Sequence, residues 1–341
     1  MDLFMPQYAN GTDLPLSVAL WLAKDDYDYN PDEKVISTTT LIKPLRQIIL
    51  GSRVTPSDTD PIDVMTLFRS RLGSAIHAAI EKVWRDPRNI VPLCKSLGIP
   101  KHLAERISIN MPKEWYDAHP NDIPVELEKR KYRDIAGMTV SGQLDFAFKR
   151  ALQDFKMTNV FAYKNESNDL KYAQQGSIYR WLDPENITAD HITIIRFFTD
   201  FRGYEANTQS NYPEHPIIAT DFELASVKQT EEYLNWKIPQ IQKLQKLPDS
   251  KLPECDAEDL WMRDVVSYKY WSSEESYKAG KRCSKSFTED EKRQANQHKR
   301  EKGKGIVVKV VDKGKARACE YCSSRPICNQ YQQLKKRGLA D

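Results

Sequence analysis

The chain has 341 residues, of which 51 are Lys or Arg and 48 are Asp or Glu, giving a formal net charge of +3 at pH 7. This length predicts two domains or one large elaborated domain, and the 40% hydrophobic content excludes wholesale disorder. No apolar run approaches the roughly 20 residues that span a bilayer, and the start MDLFMPQYANGTDLP lacks the apolar stretch of a signal peptide, so neither a membrane nor a secreted protein is expected.

Residues 1–120 are predicted to form a helical N-terminal segment. From Ser37 a capping residue precedes apolar positions at helical spacing, which predicts a helix through TTTLIKPLRQIIL. A longer helix is predicted from Val64 to Trp84, where apolar residues again recur at helical spacing. Between residues 86 and 124, repeated prolines predict short helices and loops.

Residues 121–250 are predicted to form the core. The segments PVELEKRKY, MTVSGQLDFAFKR and ALQDFKMT alternate with period two and predict successive strands, with Gly137 at the first turn. A helix is predicted from Leu170 to Leu182, a strand buried on both faces at HITIIRFFTDF, and a further helix from Asp221 to Leu247. This order predicts an α/β or α+β fold, with a central mixed sheet flanked by helices.

Residues 251–341 are predicted to be a polar, basic C-terminal region. Between Lys281 and Arg317 there are 13 Lys or Arg against 5 Asp or Glu, a local excess of +8, and IVVKVV predicts a short strand. Aromatic residues lie nearby: Tyr268, Tyr270, Trp271 and Tyr277. This combination is typical of a surface that follows phosphates and stacks on unpaired bases, with Lys281, Arg282, Lys299 and Arg300 as the candidate DNA contacts. A solvated charged face is the alternative.

Four short motifs carry the candidate chemistry: Gly73-Ser-Ala-Ile-His77, Gly142-Gln-Leu-Asp145, Asp154-Phe-Lys156 and Gln175-Gly-Ser-Ile-Tyr179. The second and third lie on neighbouring predicted strands, so their carboxylates are expected to converge. Such oxygen ligands suit Mg²⁺ or Mn²⁺, which can activate water and neutralise charge on a phosphodiester. Each motif alone has a simpler structural explanation, and it is their ordered combination that indicates a catalytic site.

The ordered set G-x3-H, G-x-[LI]-D, D-x-K and Q-x3-Y resembles the RecB-like branch of the PD-(D/E)XK nuclease superfamily over residues 37–200. It is also similar to the phage exonucleases and CRISPR-adaptation nucleases of that branch. The resemblance implies a restriction-endonuclease-like core and a set of site residues with assigned roles. The implied metal ligands are His77, Asp145 and Asp154; Lys156 serves the attacking water, and Gln175 and Tyr179 are positioning groups. The family's additional glutamate corresponds to Glu126 or Glu128, of which Glu126 is preferred.

Three of the six cysteines, Cys319, Cys322 and Cys328, form a C-x2-C-x5-C run, a spacing that indicates metal or iron–sulfur ligation in a reducing compartment. The run resembles the last three cluster ligands of AddB-type and CRISPR-adaptation nucleases. Cys255 is the preferred fourth ligand and Cys283 the alternative. Four cysteines allow a 4Fe-4S cluster, favoured by the resemblance, or tetrahedral Zn²⁺.

Together these features predict a metal-dependent DNA exonuclease of recombination, repair or phage DNA processing, acting in the cytoplasm of a bacterium or a phage-infected host. Its expected partners are DNA ends or single-stranded DNA, and an annealing protein, helicase or integrase. Two alternatives remain open. One is a catalytically silent DNA-binding or adaptor protein on a nuclease scaffold; the other is a metal-cluster protein that engages such a partner.

Overall fold

The computed structural model describes residues 7–25, 30, 32–166 and 168–341. The chain divides into two compact units. Unit 1 comprises Met1–Lys43 and Thr55–Lys246, and unit 2 comprises Pro44–Val54 and Leu247–Asp341. This division differs from the predicted one, because the N-terminal segment lies in the same unit as the core.

Pro44–Val54 belongs to unit 2 because Arg46, within this segment, bonds to residues of that unit. This side chain is only 5% exposed, forms an ion pair with Asp249, and donates to the backbone carbonyl of Leu252 at 3.2 Å. A guanidinium at this depth needs acceptors on several sides. Its acceptors come from residues some 200 positions away, so sequence order alone does not predict this placement.

The helices are, in chain order, α1 (Leu16–Ala23), α2 (Thr38–Leu41), α3 (Leu45–Gly51), α4 (Phe68–Trp84), α5 (Pro87–Ser96), α6 (Lys101–Ala104), α7 (Lys113–Ala118), α8 (Val160–Lys164), α9 (Asp169–Leu182), α10 (Gly203–Thr208), α11 (Val227–Leu244), α12 (Glu274–Lys278), α13 (Lys292–Lys302) and α14 (Asn329–Lys336). None of the helices in the described ranges is both long and apolar enough to cross a bilayer.

The strands are, in chain order, β1 (Tyr8–Ala9), β2 (Val35–Ser37), β3 (Ile62–Asp63), β4 (Ile107–Ile109), β5 (Ile123–Ile135), β6 (Met138–Phe148), β7 (Ala151–Thr158), β8 (His191–Phe198), β9 (Ile217–Glu223), β10 (Val265–Trp271), β11 (Lys285–Thr288) and β12 (Ile306–Asp312).

Unit 1 is built on a mixed sheet with the order β4-β5-β6-β7-β8-β9, to which β2 adds by pairing with β6. The pairs β4–β5, β7–β8 and β2–β6 are parallel, and the other neighbours are antiparallel. The predicted fold class, a central mixed sheet flanked by helices, is therefore confirmed. The tight turn between β5 and β6 passes through Ala136 and Gly137, both with positive φ, as the glycine predicted.

Helices cover both faces of this sheet, and alternate residues of β7 show the two layers. Phe155 faces the layer of α4, where Ile80 and Trp84 pack on a cluster that also contains Val125, Leu127 and Phe146. Asp154 faces α9, whose Gln175 amide reaches it at 3.5 Å. Because successive strand residues point to opposite faces, the sheet is enclosed between α4 and α9.

Several predicted elements are confirmed with adjusted bounds. The predicted helix from Ser37 begins as expected, since the Ser37 hydroxyl accepts from the backbone N–H of Thr40, but it is split into α2 and α3 before and after Pro44. The helix predicted at 64–84 opens with a 3-10 turn, Val64–Leu67, and continues as α4. Proline disfavours helical backbone at the residue before it, which explains why the helix predicted from Ser37 is split at Pro44.

The prediction of a helix from Asp221 is wrong at its start. Residues Ile217–Glu223 form β9, an edge strand on which exposed and half-buried residues alternate. The helix α11 begins only at Val227, after a capping box formed by Ser226 and Gln229. A short edge strand buries little apolar surface, so its period-two pattern of apolar residues is weak.

Unit 2 contains a three-stranded antiparallel sheet with the order β11-β10-β12, on which α13 packs. The predicted strand IVVKVV is β12 and is confirmed. A separate apolar cluster in unit 2 gathers Leu260, Tyr331 and Leu334 around the cysteine run.

Candidate functional site

The candidate site lies where β6 and β7 separate. These strands pair only over Phe146–Phe148 with Ala151–Gln153, while β2 pairs with β6 at Thr139–Ser141. Within the described ranges, residues 142–145 therefore have no strand neighbour on that edge. Asp145 and Asp154 occupy the first positions beyond the last pair, so the two predicted carboxylates meet at the point of divergence.

His77 of α4 reaches this point with a fixed ring orientation. Its Nε2 lies 2.8 Å from the backbone carbonyl of Phe155, which can only accept, so Nε2 carries the proton. In the neutral ring Nδ1 is then unprotonated, and it lies 3.4 Å from Asp145 Oδ2. Two acceptors facing each other leave a place for a proton or a cation. Burial lowers the pKa of His77, but the hydrogen bond and charge of Asp145 outweigh it and hold the pKa above its usual value.

The third member of this group is Glu128. Ligand atoms of His77, Glu128 and Asp145 all lie within 4.8 Å of one another, a spacing that a single metal ion can bridge. Burial raises the pKa of the Glu128 carboxyl, and the nearby charges of Asp145 and Glu81 raise it further. A cation bound here would remove that repulsion, so the charge balance favours metal binding.

The preference for Glu126 over Glu128 is corrected by this geometry. Glu126 is buried, and its Oε2 lies 2.5 Å from the Lys129 ammonium. Glu128 has a φ of +49°, a left-handed conformation that costs a non-glycine residue about 1 kcal/mol. The β5–β6 register is the same on both sides of this residue, with Leu127 opposite Phe146 and Lys129 opposite Leu144, so position 128 falls opposite position 145.

Asp154 and Lys156 form an enclosed ion pair on β7. Lys156 Nζ lies 2.7 Å from Asp154 Oδ2, and the two side chains are 27% and 5% exposed. Burial raises the pKa of Asp154, and Lys156 opposes that rise. The pKa of Lys156 is raised despite its burial, because the charges of Asp154 and Asp145 favour the ammonium form. Lys156 is therefore positively charged in the metal-free protein.

The predicted metal ligand Asp154 is thus placed differently from the other two. Its Oδ2 faces Lys156, and its Oδ1 accepts from Gln175 Nε2 at 3.5 Å. The same Gln175 amide donates to the Tyr179 hydroxyl at 2.9 Å, so the two α9 residues act together beside the ion pair. Burial also raises the pKa of Tyr179, which keeps its hydroxyl protonated. All four predicted motifs are brought together, and the ligand roles of His77, Asp145 and Asp154 stay predictions.

The glycine of the second motif allows α9 to approach β6. A Cβ at Gly142 would lie 2.6 Å from Leu182 Cδ1, 2.7 Å from Thr38 Oγ1 and 2.9 Å from Tyr179 Cε1. A Cβ at Gly73, the glycine of the first motif, would meet only Met157 Cγ, at an ordinary 3.6 Å. The two motif glycines therefore have different structural roles.

We expect Gly142→Ala to destabilise the protein by about 1–3 kcal/mol, because overpacking displaces Tyr179 and Leu182. Gly73→Ala is the matched control and should be neutral or slightly stabilising, since alanine favours a helix by about 1 kcal/mol over glycine. Urea unfolding of both variants measures the difference. Equal stability of the two would show that α9 can move away without cost.

The predicted cysteine ligands lie in unit 2. Cys255, Cys319 and Cys328 pack in one apolar cluster, and Cys255 is held to α14 by two hydrogen bonds with the Gln330 amide, at 2.9 and 2.7 Å. Burial raises the pKa of Cys255 to about 12 and that of Cys319 to about 11, with the neighbouring thiols contributing in both cases. Arg46 Nε donates to Cys328 Sγ at 3.4 Å. Cys283 is not among the residues of this cluster.

The predicted DNA contacts also lie in unit 2 and are exposed: Lys281, Arg282, Lys299 and Arg300. Helix α13 packs through buried Ala295 and through His298, whose ring lies edge-on to Tyr270 at 4.9 Å. The prediction that Tyr270 and Trp271 stack on bases is wrong, because these rings are only 3% and 7% exposed and belong to the packing of the sheet.

Comparisons with known proteins add little to this geometry. No family model matches the chain, and no curated protein matches it in sequence. The chain is similar to the crystal structure of SSO0001, at a TM-score of 0.35 and 13% identity, with 69% of this chain and 88% of that chain covered.

Proposed function

We propose that this chain is a metal-dependent DNA nuclease that hydrolyses phosphodiester bonds, with a restriction-endonuclease-like core. One observation carries the proposal. His77, Glu128 and Asp145 converge at the divergence of β6 and β7, beside the buried Asp154–Lys156 pair. An apolar or purely structural sheet would not gather three carboxylates, a histidine and a lysine at one open edge, because unpaired buried charges are costly.

The residues fit Mg²⁺ or Mn²⁺. The two carboxylates supply hard, negatively charged oxygen donors, and the neutral form of His77 can add its Nδ1, which faces Asp145. The chemistry supplied by such an ion is activation of water and neutralisation of phosphodiester charge. Asp154 holds Lys156 in place, and the Gln175 amide, which also donates to the Tyr179 hydroxyl, restricts Asp154 in turn.

Lys156 is best suited to stabilising charge. Its raised pKa keeps the ammonium form, which can donate to a phosphoryl oxygen as negative charge grows there. A general base must instead be neutral at the working pH. Charge stabilisation therefore has better support than the role of serving the attacking water, which the resemblance implies for Lys156.

We infer that the substrate is DNA and the action exonucleolytic, in recombination, repair or phage DNA processing, in a bacterial or phage-infected cytoplasm. The test compares end-labelled linear single- and double-stranded DNA with a closed circle, each with Mg²⁺ or Mn²⁺ and with chelator. Degradation of linear DNA alone, lost in chelator, is expected. Cleavage of the circle would indicate an endonuclease, and no cleavage by folded, Mn²⁺-binding protein would favour the silent DNA-binding alternative.

We further propose that Cys255, Cys319, Cys322 and Cys328 hold a 4Fe-4S cluster, because Cys255, Cys319 and Cys328 pack together and the C-x2-C-x5-C run resembles the cluster ligands of AddB-type nucleases. Anaerobically purified protein should be brown and contain iron. Cys255→Ser should lose most of that iron, whereas Cys283→Ser, the matched control outside the cluster, should retain it. A colourless protein with stoichiometric zinc would contradict the assignment.

The exposed basic residues of α13 support a second contact with DNA. Lys299→Ala/Arg300→Ala should weaken DNA binding and reduce the slope of log affinity against log salt by about 2, since each phosphate contact contributes about 1. Lys336→Ala/Arg337→Ala removes the same charges from exposed positions of α14 and its end. Equal losses in both double variants would indicate a general charge effect in place of a defined surface.

A further inference from the structure

A chain of two side-chain hydrogen bonds runs from β5 across to β6 and back to the candidate metal ligand. The guanidinium of Arg130 donates to Gln143 Oε1 at 2.8 Å. The Gln143 Nε2 amide donates to Glu128 Oε2 at 2.6 Å. Gln143 occupies the unspecified position x of the pattern G-x-[LI]-D, and the resemblance assigns it no role.

The orientation of the Gln143 amide follows from the chemistry of its neighbours. Arg130 is a donor only, so it selects the amide oxygen, and the amide NH₂ must then face the other way. A carboxylate is an acceptor only, so Glu128 selects that NH₂. Reversing the Gln143 amide would place its NH₂ against the donor Arg130 and its oxygen against the acceptor Glu128. The positions of the amide oxygen and nitrogen are therefore fixed by these neighbours.

This contact acts on a carboxylate that is otherwise poorly constrained. Glu128 lies in the left-handed region at φ +49°, and its carboxylate is close to the negative charge of Asp145. Without a donor behind it, the side chain would turn towards solvent and away from that charge. The hydrogen bond from Gln143 occupies Oε2 and leaves the remaining lone pairs of the carboxylate for a ligand shared with His77 and Asp145.

We infer that Gln143 is a positioning residue that orients Glu128 as a metal ligand, and that Arg130 in turn orients Gln143. This inference rests on the metal site of the proposed function and deepens it. It predicts that metal affinity depends on a residue that does not itself contact the metal.

The test is Mn²⁺ binding, measured by the electron paramagnetic resonance of free Mn²⁺ in titrations of the full chain. Gln143→Met keeps the size of the side chain and removes both hydrogen bonds. We expect it to bind Mn²⁺ about tenfold more weakly than wild type, the lower end of the usual cost of losing such a partner. In cleavage assays the half-saturating Mn²⁺ concentration should rise, while the KM for DNA stays unchanged at saturating Mn²⁺.

Two controls separate positioning from a merely structural role. Gln242→Met removes a glutamine that donates to the Ala136 carbonyl at the distant β5–β6 turn, and it should leave Mn²⁺ affinity unchanged. Asp145→Asn should abolish binding and so show that the measured Mn²⁺ occupies this site. Arg130→Met should weaken binding less than Gln143→Met does, and it carries the test if Gln143→Met fails to fold.

The outcomes are distinguishable. If wild type binds Mn²⁺ and Gln143→Met binds it within twofold, Gln143 has no positioning role while the proposed metal site stands. If wild type binds no Mn²⁺, or if Asp145→Asn binds as wild type does, the metal site and this inference both fail.

Discussion

Asp145→Asn is expected to reduce metal-dependent DNA cleavage by about 10³-fold or more, because it removes one charge from the shared donor set. The amide keeps the size of the side chain, but it cannot replace a carboxylate facing Nδ1 of His77 at 3.4 Å. The Asp145 side chain is 21% exposed, so the fold should tolerate the change. A cleavage time course at a Mn²⁺ concentration that saturates the wild type, and a thermal unfolding curve in chelator, test the two parts of this prediction.

The matched control for this variant is Asp190→Asn. Asp190 Oδ1 lies 3.3 Å from His191 Nδ1, so it forms a second histidine–aspartate pair, with an 88% exposed carboxylate. Loss of the Asp190 carboxylate should not change the rate of DNA cleavage. Wild-type activity in Asp145→Asn would remove the central residue of the proposed site and would contradict a nuclease function there.

The second large effect is expected for Lys156→Met. Removing one partner of a buried ion pair leaves the other charge uncompensated, at a cost of about 3 kcal/mol or more in the free energy of unfolding. Cleavage should also fall by about 10²–10³-fold if the Lys156 ammonium stabilises the developing charge as proposed. Urea unfolding and cleavage at saturating DNA measure the two effects.

This loss of stability should depend on pH. Burial already holds the pKa of Asp154 above its ordinary value of 3.8, and removing Lys156 takes away the charge that opposes this rise. A carboxyl whose pKa is raised on folding destabilises the native state only above its unfolded pKa, and increasingly so as the pH rises through the folded pKa. We therefore expect the deficit of Lys156→Met to be smaller at pH 5 than at pH 8.

Lys131→Met provides a close control for this variant. Lys131 Nζ lies 2.9 Å from Asp183 Oδ2, and the side chains are 30% and 7% exposed, nearly the same as in the Asp154–Lys156 pair. Both variants should be less stable than wild type, but only Lys156→Met should lose cleavage beyond its loss of folded protein. Equal losses of activity would mean that Lys156 acts through stability alone.

The sequence by itself determined the local elements and the order of the motifs. Period-two alternation located β5, β6 and β7, helical spacing located α4 and α9, and Ser37 correctly marked the beginning of α2. These features are local, because they depend on backbone periodicity and on caps a few residues away. The convergence of His77, Asp145, Asp154 and Gln175 followed from placing each motif on its element.

Only the tertiary structure decided which glutamate joins the site and what orients it. Glu126 and Glu128 are equivalent by spacing, and the left-handed backbone at Glu128 that distinguishes them has no residue-type marker, since glycine or asparagine would be the usual choice. The bond from Gln143 to Glu128 joins two strands, and the bonds of Arg46 join residues some 200 positions apart. Such contacts depend on which surfaces meet, and local periodicity carries no information about that.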